Sequence, residues 1–265
     1  MPTELDVFAR LEKVRAQSPV VHHLTNWVTI YDCAQVVKTL GGSPVMAHAP
    51  EEAAEMTKIA SALVLNIGTL TATMVEAMKL AAKSANEKGI PVVLDVCGAG
   101  ATSFRDAKVA ELLSAAKIDI IKGNASEIAR VAGEDIHTRG VDSAEVDGDI
   151  VALARRLANS RNCCAAVTGA VDIVTDGDRT IHIANGDAMM TKVVGTGCMA
   201  TSVIGTFAAV EPDLAVAAAC GLCCYGIAGE LAAAKAPTPM AFKAVLFDCL
   251  YGLDRKTIEA HRRLI

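Results

Sequence analysis

The stretch best suited to binding or catalysis is a glycine-bracketed loop, Gly195-Thr196-Gly197. An uncharged run from Met199 to Val210 follows this loop. This pattern predicts a tight loop that opens a buried helix. A helix start carries unpaired backbone N–H groups and the positive end of the dipole, which suit a phosphate or a developing negative charge. Glycine lets the backbone approach such a group closely. The simpler alternative is a glycine turn before a core helix, with Cys198 as a small buried residue.

Three charged side chains stand at or just after the ends of predicted buried strands. Asp95 ends one apolar run, and Lys122 and Glu127 lie in and just after another. Phosphoryl transfer needs metal-bridged carboxylates, a cation and helix-start amides, because that chemistry depends mainly on positioning and charge neutralisation. Each residue also has a structural interpretation. Asp95 could begin a turn, Glu127 could form a capping box with Asn124, and Lys122 could be a solvated charge.

Apolar runs recur along the chain at helix-length intervals. The predicted strands are residues 19–23, 43–47, 62–68, 90–95, 119–124 and 163–169. Strands alternating with helices at this spacing predict a right-handed, mostly parallel, doubly wound sheet. Ligands bind such sheets beyond the carboxyl ends of the strands. The residues predicted to lie there are Asn26, Met46, Asn66, Gly68 and Asp95.

Helices and one hairpin complete the predicted fold. The helices cover residues 3–16 with Thr3 as the cap, 27–40 and 71–88, and three Ala-rich helices after the glycine loop, the last ending near residue 262. Pro50, with Glu51 and Glu52 behind it, marks the start of another helix. Residues 171–176 and 180–183 predict an antiparallel hairpin.

Composition limits the class of partner. A net charge of −5 with scattered lysines and arginines argues against a nucleic-acid groove or an anionic membrane surface, so we expect a small-molecule partner. No linker, repeat or low-complexity tract divides the 265 residues, which predicts one domain over 1–265. The N-terminal sequence lacks the pattern of a secretion signal, and the uncharged runs 193–210 and 214–229 suit buried core helices. We therefore predict a soluble, cytoplasmic protein.

Familiar cofactor motifs are missing from the sequence. It has no Gly-x-x-x-x-Gly-Lys-[Ser/Thr] loop and no Gly-x-Gly-x-x-Gly after the first predicted strand, which argues against Walker-type and nicotinamide sites. The nine cysteines are irregularly spaced and lack zinc-ligand spacing. Reduced core thiols are the favoured interpretation, and a metal or redox centre is the alternative.

Six short segments, taken in order, are similar to a known family. They are His22-x-Leu24-Thr25-Asn26, Gly42-Ser43-Pro44-Val45-Met46-Ala47-His48-Ala49-Pro50-Glu51-Glu52, Leu65-Asn66-Ile67-Gly68-Thr69-Leu70, Gly123-Asn124-Ala125-Ser126-Glu127-Ile128, Gly140-Val141-Asp142-Ser143 and Gly195-Thr196-Gly197-Cys198-Met199. Together they closely resemble the hydroxyethylthiazole kinase family of the ribokinase-like superfamily, over roughly residues 19 to 210.

The resemblance implies a fold and an activity. The fold would be a three-layer α/β/α arrangement with a central, mostly parallel sheet and no separate lid domain. The activity would be transfer of the γ-phosphoryl group of ATP, with Mg²⁺, to the primary hydroxyl of 4-methyl-5-(2-hydroxyethyl)thiazole, a step in making or salvaging thiamine. The family also implies a homotrimer whose active sites lie near subunit boundaries.

The resemblance also implies roles for individual residues. Those expected to contact the thiazole substrate are Asn26, Met46, Gly68 and Gly195. Those expected to form the anion hole are Gly195, Thr196 and Gly197. Those expected to hold ATP are Lys122, Asn124 and Thr168, and those expected to serve Mg²⁺, directly or through water, are Asp95 and Glu127.

Cys198 stands where most ribokinase-like enzymes place an aspartate base. A thiol with a reference pKa of about 8.5 is made more acidic at a helix N-terminus, so a thiolate could accept the proton of the substrate hydroxyl. Equally, the thiol could serve only to position the substrate.

The chain departs from the family pattern in three places. Asp95-Val96-Cys97-Gly98 replaces Asp-Pro-Val-Gly, Lys122 replaces a frequent arginine, and His23 replaces a frequent cysteine. Lysine supplies a point charge instead of a bidentate fork. Two other functions therefore stay open. One is a kinase for a pyridoxal- or hydroxymethylpyrimidine-type alcohol, and the other is a catalytically weakened nucleotide- or thiazole-binding sensor.

Overall fold

A computed structural model describes residues 5–134 and 149–265. Thr3 and the predicted segment 140–143 lie outside the described residues. The strands are β1 (Val20–Leu24), β2 (Ser43–Val45), β3 (Ala62–Asn66), β4 (Val92–Asp95), β5 (Ile120–Asn124), β6 (Cys164–Thr168), β7 (Asp172–Thr175) and β8 (Thr180–Ile183). They form one sheet in the order β2-β1-β3-β4-β5-β6-β7-β8. Strands β1 to β6 pair in parallel, and β7 and β8 form the predicted antiparallel hairpin.

The helices of the described residues follow the strands in the expected alternation. They are α1 (Val7–Gln17), α2 (Ile30–Leu40), α3 (Pro50–Ile59), α4 (Ala72–Lys88), α5 (Ser103–Ala115), α6 (Ala125–Val131), α7 (Ile150–Arg161), α8 (Thr196–Ala208), α9 (Leu214–Lys235), α10 (Pro239–Tyr251) and α11 (Arg255–His261). A short 3-10 helix covers Ala188–Lys192.

Apolar cores lie on both faces of the sheet. Along β3, Leu63 and Leu65 point into a core shared with α4 and α5, whereas Val64 points into a core shared with α1, α2, α8 and α9. This alternation follows from the two-residue period of a strand, and burial on both faces explains why the parallel strands are continuous apolar runs. The three-layer α/β/α, mostly parallel fold predicted from the sequence is therefore confirmed.

The strand order reverses beside β1. The chain passes from β1 to β2 on one side of it and then places β3 on the other side. Such a reversal opens a crevice at the carboxyl ends of the two strands, where ligands of open α/β sheets bind. Asn26 follows β1 and Asn66 ends β3, so both lie at this crevice.

Two predicted helix starts and the predicted number of C-terminal helices were wrong. Helix α2 begins at Ile30, not Trp27, because Asn26 Oδ1 accepts hydrogen bonds from the backbone N–H and hydroxyl of Thr29, which holds the intervening residues in a turn. Helix α1 begins at Val7 with Asp6 as its cap. The C-terminal region after the glycine loop has four helices, not three, because a new cap at Asp254 separates α11 from α10.

Most of the long apolar helix and most of the cysteines are buried. Helix α9 is long and apolar enough to cross a membrane, but 83% of its most apolar window is buried inside the protein. All nine cysteines are free thiols. Seven of them are buried, and the two that are only partly buried, Cys97 and Cys198, both lie at the carboxyl edge of the sheet.

Candidate active site

Asp95 forms the centre of the site. It ends β4 and is completely buried, and its Oδ2 accepts hydrogen bonds from Thr201 Oγ1 at 2.6 Å and Asn66 Nδ2 at 2.9 Å. Lys122 Nζ lies 3.4 Å from the same oxygen. The other carboxylate oxygen, Oδ1, has no hydrogen-bond partner among the described residues. The donors therefore fix the orientation of the carboxylate and leave one oxygen for another ligand.

Lys122 joins Asp95 to the glycine loop. The two residues are register partners on adjacent parallel strands. A Cβ built at Gly197 would lie 3.4 Å from Lys122 Nζ, so the ammonium faces the start of α8. Burial alone would lower the pKa of Lys122, but the carboxylates of Asp95 and Glu127 raise it above its ordinary value. Lys122 thus stays a cation beside the loop.

Glu127 has the structural role that its position relative to Asn124 suggested. It forms a capping box at the start of α6, with Oε2 accepting the N–H of Asn124 at 2.7 Å. Its Oε1 accepts the N–H of Gly98 at 2.7 Å, which ties the turn after β4 to the same helix. Burial raises the pKa of Glu127, while Lys122 opposes that shift. Glu127 therefore sets the turn beside Asp95 and brings a second carboxylate to the edge of the site.

The donor set at this edge fits a magnesium ion shared with a nucleotide. Mg²⁺ usually keeps several waters and uses one or two carboxylates together with substrate phosphates. Asp95 offers the free Oδ1, and Glu127 offers oxygens that each already accept one N–H, which suits contact through water. Among residues 5–134 and 149–265, no group of three or more His, Cys, Asp or Glu residues could hold a metal by itself. The acid pair therefore suits a magnesium ion that is also bound by the phosphates of a nucleotide.

The glycine loop opens α8 as predicted. Gly195 has φ of +96°, in the left-handed region, and a Cβ there would lie 2.5 Å from Thr29 Cγ2. Thr196 Oγ1 donates to the carbonyl of Met190 at 2.9 Å, and Tyr225 Oη donates to the carbonyl of Thr196 at 3.2 Å. Within the described chain, no side chain caps α8. The first N–H groups of this helix are therefore available to an anion.

The thiol of Cys198 lies in the first turn of α8 and accepts a hydrogen bond from Asn26 Nδ2 at 3.3 Å. The neighbouring thiol of Cys97, assisted by the charge of Lys122, lowers the pKa of Cys198 to about 7, against the opposing effects of burial and Asp95. The same interaction with Cys198, together with burial, raises the pKa of Cys97. The two thiols titrate together, and the start of α8 favours the thiolate on Cys198.

Asn26 and Gly68 meet at the crevice beside β1. Asn26 Nδ2 donates to Asn66 Oδ1 at 3.0 Å, and the N–H of Gly68 donates to the same oxygen at 2.8 Å. A Cβ at Gly68 would lie 3.0 Å from Asn26 Cβ, so a larger residue there would displace the asparagine. Met46 lies half-buried after β2, on a neighbouring loop of the same sheet edge.

Thr168 and Asn124 are register partners at the ends of β6 and β5. Thr168 Oγ1 donates weakly to the carbonyl of Gly123 at 3.4 Å, and Asn124 Oδ1 caps α6. Asp172 lies just beyond them and accepts the N–H of Gly169 at 2.9 Å. Burial raises the pKa of Asp172 to about 6. These residues extend the site away from Asn26 along the same sheet edge.

Two residues of the site were not identified from the sequence. Thr201 binds Asp95, and Thr29 supports both Asn26 and Gly195. Thr201 could have been found, because it follows Gly197 by four residues and therefore lies on the same face of α8. Thr29 could not, since its role depends on the turn that replaces the first residues of the predicted helix.

Solved structures with low sequence identity define the class of fold. A ribokinase-like superfamily protein from Enterococcus faecalis superposes with a TM-score of 0.62 at 13% identity, covering 94% of each chain. The adenosine kinase from Sinorhizobium meliloti superposes with a TM-score of 0.53 at 14% identity, covering 85% of this chain and 76% of that one. The protein therefore has a ribokinase-like fold.

Closer relatives identify the family. Residues 11–256 match the hydroxyethylthiazole kinase family. The hydroxyethylthiazole kinase of Methanosarcina acetivorans is 51% identical, covering 94% of this chain and 96% of its own, and that of Methanoculleus marisnigri is 52% identical, covering 96% and 91%. A solved hydroxyethylthiazole kinase from Pyrococcus horikoshii is 38% identical, with a TM-score of 0.89 and 98% of both chains covered. The chain belongs to the hydroxyethylthiazole kinase family.

Proposed function

We propose that the protein transfers the γ-phosphoryl group of ATP, with Mg²⁺, to the primary hydroxyl of 4-methyl-5-(2-hydroxyethyl)thiazole, giving the thiazole phosphate used to make thiamine. Family membership supports the activity. The observation that carries the mechanism is the convergence of Asp95, Lys122 and the open end of α8 on one crevice. An acid with a free oxygen, a fixed cation and unpaired amides are the parts that phosphoryl transfer needs.

The thiazole alcohol binds at the crevice beside β1 in this proposal. The residues that line its pocket are Asn26, Met46, Gly68 and Gly195. Asn26 is held by hydrogen bonds from Thr29 and to Asn66, so its side chain is oriented before the substrate arrives. Such preorganisation lowers the entropy that must be lost when the hydroxyl is aligned.

The triphosphate of ATP lies along the edge from β6 to α8. Lys122, Asn124 and Thr168 hold the phosphates, and the amides of Gly195, Thr196 and Gly197 form the anion hole for the transferred group. Asp95, with Glu127 through water, would hold Mg²⁺, which neutralises phosphate charge when bound. The substrate oxygen forms its bond to the γ-phosphorus as the bond from that phosphorus to the β–γ bridging oxygen breaks, and ADP leaves.

Cys198 receives the proton of the attacking hydroxyl in this mechanism. Its pKa of about 7 leaves a substantial thiolate fraction at neutral pH. Asn26 Nδ2, which donates to the sulfur at 3.3 Å, stabilises the thiolate and brings the substrate pocket next to the base.

A homotrimer with sites near subunit boundaries is part of the proposal. Large apolar side chains stand exposed directly beside the substrate pocket, with Trp27 57%, Val28 66% and Tyr31 72% accessible. Val194, which precedes Gly195, is 72% accessible. Apolar surface of this kind suits a protein–protein contact. Light scattering coupled to size-exclusion chromatography tests the trimer, and a mass of one chain would exclude it.

We also propose a soluble, cytoplasmic enzyme, since the long apolar helix α9 is buried.

An ADP-release assay against a panel of vitamin-precursor alcohols tests the function. We expect release with the thiazole alcohol that depends on added Mg²⁺, and little release with pyridoxal or hydroxymethylpyrimidine. Preference for one of those two alcohols would reassign the substrate. Binding of the thiazole alcohol without ADP release would instead favour a sensor.

A further inference from the structure

His48 connects two loops that carry proposed substrate-pocket residues. It lies half-buried between β2 and α3. Its Nδ1 is 3.1 Å from the carbonyl oxygen of Met46, and its Nε2 is 3.0 Å from the backbone nitrogen of Thr25 and 3.2 Å from the oxygen of that residue. The ring also packs against Trp27, with centroids 4.9 Å apart and planes at 36°.

The hydrogen-bond partner of Nδ1 places a proton on that nitrogen of His48. A carbonyl oxygen only accepts, so Nδ1 must carry a proton to bond Met46. Nε2 lies within hydrogen-bond distance of the N–H of Thr25, which donates, and of the oxygen of that residue, which accepts, so Nε2 can bond the Thr25 backbone in either protonation state. With a proton on Nδ1, the ring bonds the backbone of Met46 through one nitrogen and the backbone of Thr25 through the other.

Both loops lead directly into the substrate pocket. Thr25 precedes Asn26, and Met46 is itself a proposed pocket residue. The backbone N–H of Trp27 donates to Thr69 Oγ1 at 3.0 Å, which links the first loop to the residue that follows Gly68. The ring of His48 thus joins two of the three loops that the thiazole alcohol would contact, and the first of these two is bonded to the third.

A second histidine supports the same stretch from the core side. His22 Nε2 donates to the carbonyl of Ala47 at 2.9 Å, and His22 Nδ1 is 2.9 Å from Thr57 Oγ1. Burial lowers the pKa of His22, which keeps the ring neutral. The carbonyls of Met46 and Ala47 are therefore each held by a histidine, and His48 is the one that also reaches the loop of Asn26.

From this geometry we propose that His48 is a positioning residue that sets the affinity of the enzyme for its alcohol substrate. It acts through the backbones of Thr25 and Met46, which hold Asn26 and the pocket wall in register. The inference rests on the proposed placement of the alcohol in this crevice. It assigns His48 no contact with the transferred phosphoryl group.

Kinetics of His48→Phe and His48→Gln test the inference, with the alcohol that the wild-type enzyme phosphorylates best. Phenylalanine keeps a ring against Trp27 but removes both hydrogen bonds, so we expect KM for the alcohol to rise about tenfold. We expect kcat and KM for ATP to change less than about twofold. Glutamine restores a polar group that can reach Thr25 and should recover part of the affinity. His261→Phe, at an exposed histidine on α11, is the matched control.

Hydrogen exchange separates this inference from the proposed function. Loss of the two bonds should speed amide exchange in peptides covering residues 22–30 and 44–50, whatever alcohol the enzyme prefers. Unchanged exchange together with unchanged KM for the alcohol would overturn the inference. A fall in kcat alone, or equal increases in both KM values with a lower melting temperature, would also overturn it. Failure of the wild-type enzyme to phosphorylate the thiazole alcohol would instead count against the proposed function alone.

Discussion

Lys122 Nζ lies 3.4 Å from Asp95 Oδ2, although 26 residues separate the two in the chain, because their strands β4 and β5 pair in parallel with these residues in register. Thr201 and Asn66 donate to the same oxygen. The three donors leave only Oδ1 without a partner among the described residues. Oδ1 is therefore the oxygen of Asp95 that can bind a new ligand.

Thr201→Val should therefore weaken binding of a divalent cation. The variant keeps the volume of the side chain but removes its hydroxyl, so the Asp95 carboxylate can rotate. We expect affinity for Mn²⁺ in the presence of ADP to fall about fivefold or more, given the strength of hydrogen bonds to charged groups. Electron paramagnetic resonance of free Mn²⁺ measures this directly. Thr201→Ser, which keeps the hydroxyl, is the control, and equal affinities in both variants would contradict the prediction.

Substitutions at Cys198 test whether the thiol acts as a base. Cys198→Asp places a carboxylate where other ribokinase-like enzymes are expected to carry one and should retain phosphorylation. Cys198→Ala should lower kcat by about a hundredfold, the lower end of the range for loss of a general base. Steady-state ADP release measures both effects. Full turnover in the alanine variant would remove Cys198 from the mechanism.

The pH dependence of kcat/KM should report the thiol pair. Since the thiolate of Cys198 is the active form and its pKa is about 7, the rate should rise with pH through neutrality and then level off. The interaction with Cys97 is the main cause of the lowered pKa. Cys97→Ala should accordingly move the rising limb to higher pH. An unmoved limb would show that Cys97 does not control the ionisation of Cys198.

Gly195→Ala should damage the anion hole. The residue has φ of +96°, and a Cβ would lie 2.5 Å from Thr29 Cγ2. Strain and displacement of the loop should reduce kcat/KM at least about tenfold. Gly89→Ala is a matched control, because φ there is +76° and nothing lies within 4 Å of its Cβ position. Gly89→Ala should lose some stability and keep its activity, and similar kinetics in both variants would place the glycine loop outside the site.

His23 should make the fold sensitive to acid. It is fully buried with its ring bonded to the Val21 carbonyl and Ser202 Oγ, and burial lowers its pKa to about 3. The unfolded chain binds a proton at histidine below about pH 6.5, so the free energy of unfolding should fall as pH drops from there towards 3, by at most about 1.4 kcal/mol per pH unit.

His23→Cys should make that pH dependence shallower. The cysteine does not titrate in this range, so the proton uptake on unfolding should decrease by about one. Urea unfolding at pH 7, 6 and 5 provides the comparison. Parallel curves for the variant and the wild type would mean that another group dominates the acid sensitivity.

Much of the sheet edge could be predicted from the sequence. Continuous apolar runs that end in Asp95 or lead to Asn26 mark buried parallel strands, and parallel pairing then brings their carboxyl ends together. The capping box of Glu127 was also visible as an alternative, since a cap depends only on neighbouring residues. These features are local, or follow from the regular geometry of a doubly wound sheet.

Other features of the site depend on contacts between distant segments. One of the donors that bind Oδ2 of Asp95 is Thr201, which lies on α8, far from Asp95 in the sequence. The start of α2 was missed for a local reason, the competition between helix formation and the hydrogen bonds that Asn26 makes with Thr29 three residues later. The hydrogen bonds of His48 depend on where two loops meet. No periodicity or spacing encodes such contacts.

Trp27 has a practical consequence. It is the only tryptophan of the chain, it is 57% accessible, and its ring packs against His48 next to the proposed substrate pocket. Indole emission depends on water exposure and on neighbouring quenchers, so the intrinsic fluorescence of the unlabelled enzyme should respond to alcohol binding and to subunit association. The protein thus contains its own optical reporter at the place where both events would occur.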